Sequence, residues 1–299
     1  MNAEQLQDSW MATNNSVAIS SYIERIRLVA TERTEFLVIL YRDNEAGDNR
    51  RPIGSIGSLN VFSRRRIRTP YHVTLRSVDE PQIRPGKRFS EWHWQFSPQN
   101  LEDAIAFACS TQFVVTFSTV KSGASVPLNV HFQGVPRIME WNGLRHELFG
   151  SLLGSRELDF GRQKGDSLRV SIQDYPAFVA RIAGRPRDVC EKVLTLCVGY
   201  DGLQSFNLII ESLGNESQDQ KEVAVYWFPR RLDGRVMSKR YEHYRWAFGS
   251  FEMAGVFLTA HADIYDGLTA SDLSDALKEV SIQEQSHEHK IVTNLLRYP

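Results

Sequence analysis

The apolar runs of this chain are short, and this feature constrains its fold more than any other. Residues 36–41 and 113–117 are rich in β-branched and aromatic side chains and have the length of β-strands. They are far shorter than the ~18 consecutive apolar residues that cross a bilayer. Residues 1–11 carry acidic side chains where a signal peptide has basic ones. We therefore expect a cytoplasmic protein with no signal peptide and no membrane partner.

The composition argues against several kinds of binding partner and against a structural metal site. The 299 residues are 42% hydrophobic, which suffices for a core, and a net charge of -1 gives no global field for nucleic acid. Three cysteines without a C-x-x-C pair favour neither a disulfide framework nor a zinc ribbon. His287 and His289 have no visible third metal ligand, so this segment is predicted to be a solvated tail. We expect no nucleic-acid partner, no metal and no cofactor.

Strand-like and helix-like segments follow one another irregularly along the chain. Strands are predicted at residues 36–42, 72–75, 113–118, 126–135, 206–211, 223–228 and 251–259. Helices are predicted at residues 97–110, 188–196 and 270–279. Because regular βαβ spacing is missing, the pattern favours an α+β fold with a largely antiparallel sheet and flanking helices. Strand-rich blocks on both sides of residue 150 indicate two halves, 1–150 and 151–299.

The segment from residue 122 to 136, SGASVPLNVHFQGVP, carries the side chains that phosphate chemistry needs. It begins with a turn of small residues, whose amides can approach an anion closely: Ser122, Gly123, Ala124 and Ser125. In the strand that follows, alternate side chains share a face, which places Asn129, His131 and Gln133 together. An imidazole beside an amide suits attack on phosphorus and binding of its oxygens. The alternative interpretation is that this histidine, the only one on its strand, is a structural residue without a catalytic role.

This segment resembles the active-site motif of the galactose-1-phosphate uridylyltransferase branch of the histidine-triad superfamily. That branch includes diadenosine tetraphosphate phosphorylases and GDP-hexose phosphorylases. In it, a small-residue turn leads into a His-x-His-x-Gln strand whose second histidine is the nucleophile. The resemblance assigns the nucleophile to His131 and the motif's glutamine to Gln133, while Asn129 stands where the family has its first histidine.

Three further blocks, in the family's order, extend the resemblance. Residues 60–82 are similar to the stretch that leads into a Pro-Tyr-His strand, and residues 226–231 and 249–255 resemble the Phe-Pro-Arg and Glu-x-x-Gly blocks of GDP-hexose phosphorylases. The resemblance implies that Arg230 and Arg231 bind substrate phosphates and that Glu252 contacts a ribose or base. A solvated basic surface for the arginines, and a backbone contact for Glu252, are the alternatives.

The resemblance implies two HIT-like halves in one unit and a nucleotidyl transfer. His131 would attack the α-phosphorus of a nucleoside diphosphate sugar, with GDP-hexose favoured, or of a dinucleoside polyphosphate. Phosphate or a sugar phosphate would then accept the nucleotidyl group. Two alternatives stay open: a nucleotide-binding or sensing protein without turnover, and a nucleotide hydrolase of the same fold. The oligomeric state is open as well, with a homodimer among the alternatives.

Overall fold

Thirteen described segments of the chain define the fold. The computed structural model describes residues 23–32, 34–41, 59–60, 98–111, 113–123, 132–135, 137–141, 144–159, 168–202, 204–214, 222–244, 246–259 and 261–297. The strands are β1 (Ile23–Ala30), β2 (Glu35–Tyr41), β3 (Leu59–Asn60), β4 (Val114–Ser118), β5 (Phe132–Val135), β6 (Ile138–Trp141), β7 (Leu144–Glu147), β8 (Glu157–Asp159), β9 (Arg169–Gln173), β10 (Ala180–Gly184), β11 (Phe206–Ser212), β12 (Val223–Pro229) and β13 (Val256–Thr259). The helices are α1 (Pro98–Thr111), α2 (Gly150–Leu153), α3 (Pro186–Asp201), α4 (Ser250–Met253), α5 (Ala262–Gly267), α6 (Ala270–Val280) and α7 (His287–Arg297). Two 3-10 turns cover Val120–Ser122 and Lys239–Tyr244.

A large antiparallel sheet organises these elements. Its eight strands follow the order β3-β5-β4-β11-β12-β10-β9-β8, and every described pair is antiparallel. A three-stranded sheet, β1-β2-β13, pairs β13 parallel to β2, and β6 and β7 form a separate hairpin. The mixed class with a large antiparallel sheet and several helices is therefore confirmed. Strand β4 lies beside β11, so the large sheet continues across the predicted boundary at residue 150.

The central strands of the eight-stranded sheet are buried on both faces. Side chains alternate along a strand, so β11 and β12 contribute to two hydrophobic cores. On what we call the back face, Leu208 and Trp227 pack with side chains of α1, α3 and α7. On what we call the front face, Ile209 and Phe228 pack with the three-stranded sheet and α6. This double burial explains why β12 is apolar along its whole length.

Most of the predicted elements that can be compared are confirmed. The three predicted helices correspond to α1, α3 and α6, and α3 is longer at both ends. The predicted strands at 36–42, 113–118, 206–211 and 223–228 correspond to β2, β4, β11 and β12. Residues 132–135 of the predicted strand 126–135 form β5. The predicted strand at 72–75 lies outside the described residues.

Two predictions were wrong. The run 251–259 is not one strand, since α4 occupies its beginning and β13 only its end. Gly255, at φ +90°, makes the turn between them. The segment that starts at His287 is not a solvated tail but the first turn of α7. Val292 and Leu296, four residues apart on one face of that helix, are buried in the back-face core.

Candidate functional site

The predicted site residues divide into those that the structure describes and those that it does not. Outside the described residues lie Ala124, Ser125, Asn129 and His131. The described ones are Ser122, Gly123, Gln133, Arg230, Arg231 and Glu252. Four of these six, Ser122, Gly123, Arg230 and Glu252, come together although they are spread over more than a hundred positions of sequence.

These residues meet at a buried cluster that we call the polar junction. Its members are Ser118, Ser122, Gly123, Asn207, Arg230 and Glu252. Asn207 links them: its Nδ2 donates to Ser118 Oγ at 2.9 Å and to the Ser122 carbonyl at 2.9 Å. Its Oδ1 accepts a hydrogen bond from Arg230 Nη1 at 3.0 Å. One amide therefore joins β4, the turn after it and the end of β12.

The turn that follows β4 uses its own polar groups to hold its shape. Ser122 is fully buried, and its hydroxyl donates to the Phe206 carbonyl at 2.6 Å. Thr119 Oγ1 lies 2.8 Å from the same hydroxyl, and the Ser122 amide donates to the Thr119 carbonyl at 3.0 Å. Ser122 thus fixes the turn in position. The amides available to an anion would have to come from the residues after it.

Gly123 brings this turn into contact with the Glu-x-x-Gly block. Its φ is +81°, and a Cβ at this position would lie 2.6 Å from the Phe248 carbonyl oxygen. Next to that contact, Glu252 Oε2 accepts a hydrogen bond from the Gly249 amide at 2.9 Å. The alternative role of Glu252, satisfying a backbone donor, is therefore observed in the structure. Two of the blocks that carry the resemblance are direct neighbours.

Arg230 carries a buried positive charge close to the turn that follows β4, to which it is linked through Asn207. The side chain is fully buried, and Nη1 also donates to the Phe248 carbonyl at 2.9 Å, whereas Nε has no hydrogen-bond partner in the described part of the chain. Burial lowers the pKa of Arg230, and the Glu252 carboxylate opposes that shift. A guanidinium stays protonated at neutral pH nonetheless. The alternative of a solvated basic surface is wrong for Arg230, whose contacts position the junction.

Arg231 lies apart from the junction. Its guanidinium pairs with Asp233, with Nη2 2.8 Å from Oδ2, and remains partly exposed. The hydrogen bond to Asp233 raises the pKa of Arg231 and lowers that of the aspartate. Its role in substrate binding stays a prediction.

Gln133 occupies the front face on β5, opposite Thr116 of β4. The exposed fractions of the two residues are 6% and 1%. Among the described residues, neither Gln133 Nε2 nor Thr116 Oγ1 has a hydrogen-bond partner. A buried polar group left without a partner costs about 1–3 kcal/mol. Gln133 and Thr116 therefore place two such groups directly opposite each other on the front face.

The sequence did not single out Thr116, Ser118 or Asn207. Each is a polar residue next to apolar residues of its strand, and this was the available signal. Their importance depends on strand register: Thr116 is opposite Gln133, and Ser118 is opposite Asn207. Register of this kind is set by partners that are distant in sequence.

The described parts of the chain give no indication of a metal centre or a membrane helix. No group of three or more His, Cys, Asp or Glu side chains in them is placed to hold a metal ion. No helix among them combines the length and the apolar character needed to cross a membrane. Comparison of the chain with models of known protein families, with curated proteins and with solved structures gives no match.

Proposed function

We propose that this chain is a nucleotidyltransferase or phosphorylase of the HIT-like fold, with His131 as its nucleophile. The favoured substrate is a GDP-hexose, with other nucleoside diphosphate sugars and dinucleoside polyphosphates as alternatives. The observation that carries the proposal is a pair of buried groups, Gln133 Nε2 and Thr116 Oγ1, for which the described part of the chain supplies no hydrogen-bond partner. The sequence places His131 two residues before Gln133, the spacing at which strand side chains share a face.

In the proposed first step, an imidazole nitrogen of His131 attacks the α-phosphorus of the nucleotide. The bond from this phosphorus to the bridging oxygen breaks, and a hexose 1-phosphate leaves. In the second step, an oxygen of inorganic phosphate or of a sugar phosphate attacks the nucleotidyl-histidine and restores the imidazole. The transfer is thereby divided into two displacements, which predicts ping-pong kinetics.

Gln133 and Thr116 support this chemistry through their burial. An amide and a hydroxyl held in a water-excluded place can donate to non-bridging oxygens as negative charge develops on them. The positive charge of Arg230 favours the same anion from behind the turn, since Coulomb interactions are stronger in a medium of low dielectric constant. Donors that are already fixed need no reorganisation during the reaction.

Turnover with defined donors and acceptors tests this function. The full chain is incubated with a GDP-hexose, a UDP-hexose or diadenosine tetraphosphate, together with phosphate, a hexose 1-phosphate or no acceptor. We expect nucleoside diphosphate formation with phosphate in the wild type and His261→Ala, and none in His131→Ala. His261 is an exposed histidine and serves as the matched control. Equal rates in both variants, or no turnover of any donor, would contradict the proposal.

A further inference from the structure

A polar cavity of about 370 Å³ opens on the front face, away from the polar junction. The side chains that matter here are Arg137, Ser155, Gln173, Arg181, Glu211 and Tyr226. Glu211 follows Asn207 by four residues on β11, which separates their backbones by about 13 Å at ~3.3 Å per residue. The cavity shares no residue with the junction or with the pair Gln133 and Thr116, so it is a separate feature of the front face.

A buried carboxyl group forms the floor of this cavity. The Glu211 side chain is 8% exposed, and its Oε1 accepts a hydrogen bond from the Tyr226 hydroxyl at 2.8 Å. Its Oε2 lies 3.7 Å from Arg137 Nη1, too far for a hydrogen bond. Burial raises the pKa of Glu211, while Tyr226, Arg137 and Arg181 act in the opposite direction. One oxygen of the group is left without a hydrogen-bond donor among the described residues.

Two arginines supply positive charge at the walls, and the carboxylate of Glu157, which pairs with Arg181, lines the cavity as well. Arg181 Nε donates to the Tyr226 hydroxyl at 3.3 Å and Nη1 to Glu157 at 2.8 Å, and Arg137 Nε donates to Glu147 at 2.7 Å. Glu147 and Glu157 are about half exposed, and such pairs contribute only about 0–1 kcal/mol. Within the described structure, the Nη2 groups of both arginines have no acceptor. These donors are available to an anion that enters the cavity.

We propose that this cavity binds a small hydroxylated anion, of the class of sugar phosphates and hydroxycarboxylates. Arg137 and Arg181 hold the anionic group, because a guanidinium matches phosphate and carboxylate oxygens in pairs. Glu211 Oε2 takes a ligand hydroxyl. The volume lies near the lower end of the ~300–1,000 Å³ usual for small-molecule pockets. Charge and hydroxyl recognition together distinguish this ligand from a neutral sugar or a bare ion.

Calorimetric titration of the full chain tests the proposal with four probes: glucose 6-phosphate, gluconate, inorganic phosphate and glucose. At least one of the first two binds, and the tighter one identifies the anionic group. Glucose and inorganic phosphate each bind at least about tenfold more weakly, since each lacks one half of the recognition. Failure of both hydroxylated anions to bind, or equal binding of glucose, would overturn the proposal.

Matched arginine variants locate the ligand. Arg137→Gln, at a half-exposed position, and Arg181→Gln each weaken binding about tenfold, the effect of losing one charge-assisted hydrogen bond. Arg169→Gln removes an arginine of similar exposure that pairs with Glu222 at 2.7 Å outside the cavity, and it leaves the affinity unchanged. Equal losses in all three variants would contradict the location.

His131→Ala separates this inference from the proposed function. The variant keeps full affinity for the hydroxylated anion, because the cavity does not include the predicted nucleophile. Bound ligand also slows amide exchange in β9 and β10, which carry Gln173 and Arg181. Loss of binding in His131→Ala, without protection of these strands, would place the ligand elsewhere and overturn the inference.

Discussion

At the scale of single residues, two threonines three positions apart provide a direct comparison. Thr116 and Thr119 are both buried, but within the described segments only the hydroxyl of Thr119 is hydrogen-bonded. We expect Thr116→Val to stabilise the fold by about 1 kcal/mol, because it removes a buried hydroxyl that makes no hydrogen bond to these segments. The same change should slow nucleotidyl transfer about tenfold if that hydroxyl contacts the substrate.

Thr119→Val is the control. Its hydroxyl contacts Ser122 Oγ at 2.8 Å and the Phe206 carbonyl at 3.0 Å, so its loss is expected to destabilise by about 1–3 kcal/mol. Urea unfolding of the two variants measures both effects. If Thr116→Val destabilised the protein as much as Thr119→Val, the hydroxyl of Thr116 would be part of a stabilising hydrogen bond and not available to a substrate.

Gly123 offers a second test at the residue scale. A side chain there meets both a left-handed backbone and a Cβ contact of 2.6 Å with the Phe248 carbonyl, so we expect Gly123→Ala to cost about 3 kcal/mol or more. Gly202 also has a left-handed backbone, with φ at +53°, but a Cβ added there would meet no described atom within 4 Å beyond its own chain neighbours and helix backbone. Gly202→Ala therefore measures the backbone effect alone and should cost about 1 kcal/mol. Equal losses in denaturant unfolding would refute the close packing of the turn on residue 248.

The titration of Glu211 is also a residue property. Because the folded-state pKa is raised, the folded chain holds this proton more tightly than the unfolded chain does. The stability from this group is therefore complete below the usual value of 4.5 and is lost as pH rises through the folded pKa. We expect Glu211→Gln to remove that decline. Unfolding free energies measured from about pH 4 to about pH 8 test this expectation. If the unfolding free energy of Glu211→Gln decreased with pH as steeply as that of the wild type, the pKa of Glu211 would not be raised by folding.

At the scale of elements, a helix was predicted correctly where both its N-terminal residues and its apolar spacing are visible in the sequence. Helix α1 was predicted because Pro98 stands at its first position and apolar residues recur at helical spacing. The prediction of one strand at residues 251–259 was wrong because the composition of this run suits a strand, whereas Glu252 and Gly255 favour a short helix and a turn. Helix α7 was not predicted: its first turn is polar, and the buried apolar positions that mark it, Val292 and Leu296, come only later in the helix.

Packing of α7 gives the prediction for this scale. Leu296 is buried against the back-face core, so Leu296→Ala should destabilise by about 2–4 kcal/mol through lost burial and a residual cavity. Asn294, exposed on the same helix, provides the control, and Asn294→Ala should change stability by less than about 0.5 kcal/mol. Thermal or urea unfolding distinguishes the two. A Leu296→Ala variant as stable as the control would restore the interpretation of residues 287–297 as a tail.

At the scale of the whole molecule, the large sheet determines which distant segments meet. The sequence predicted several pieces of the candidate site, including the small-residue turn, Arg230 and Glu252. It did not predict that Asn207 would join the first two, since that depends on β11 lying between β4 and β12. Nor did it predict the cavity around Glu211, whose walls come from β9, β10 and β12 as well as from residues outside the sheet. Pairing partners separated by many residues are not encoded in any local pattern.

The most direct test of the proposed chemistry is the position of a covalent label. The chain is mixed with a donor labelled at the α-phosphorus, without acceptor, quenched in alkali to preserve the phosphoramidate, and digested for peptide mapping. We predict an acid-labile nucleotidyl group on His131 in the wild type, retained in His261→Ala and lost in His131→Ala. Label on any other residue, or equal labelling of His131→Ala and the wild type, would contradict it.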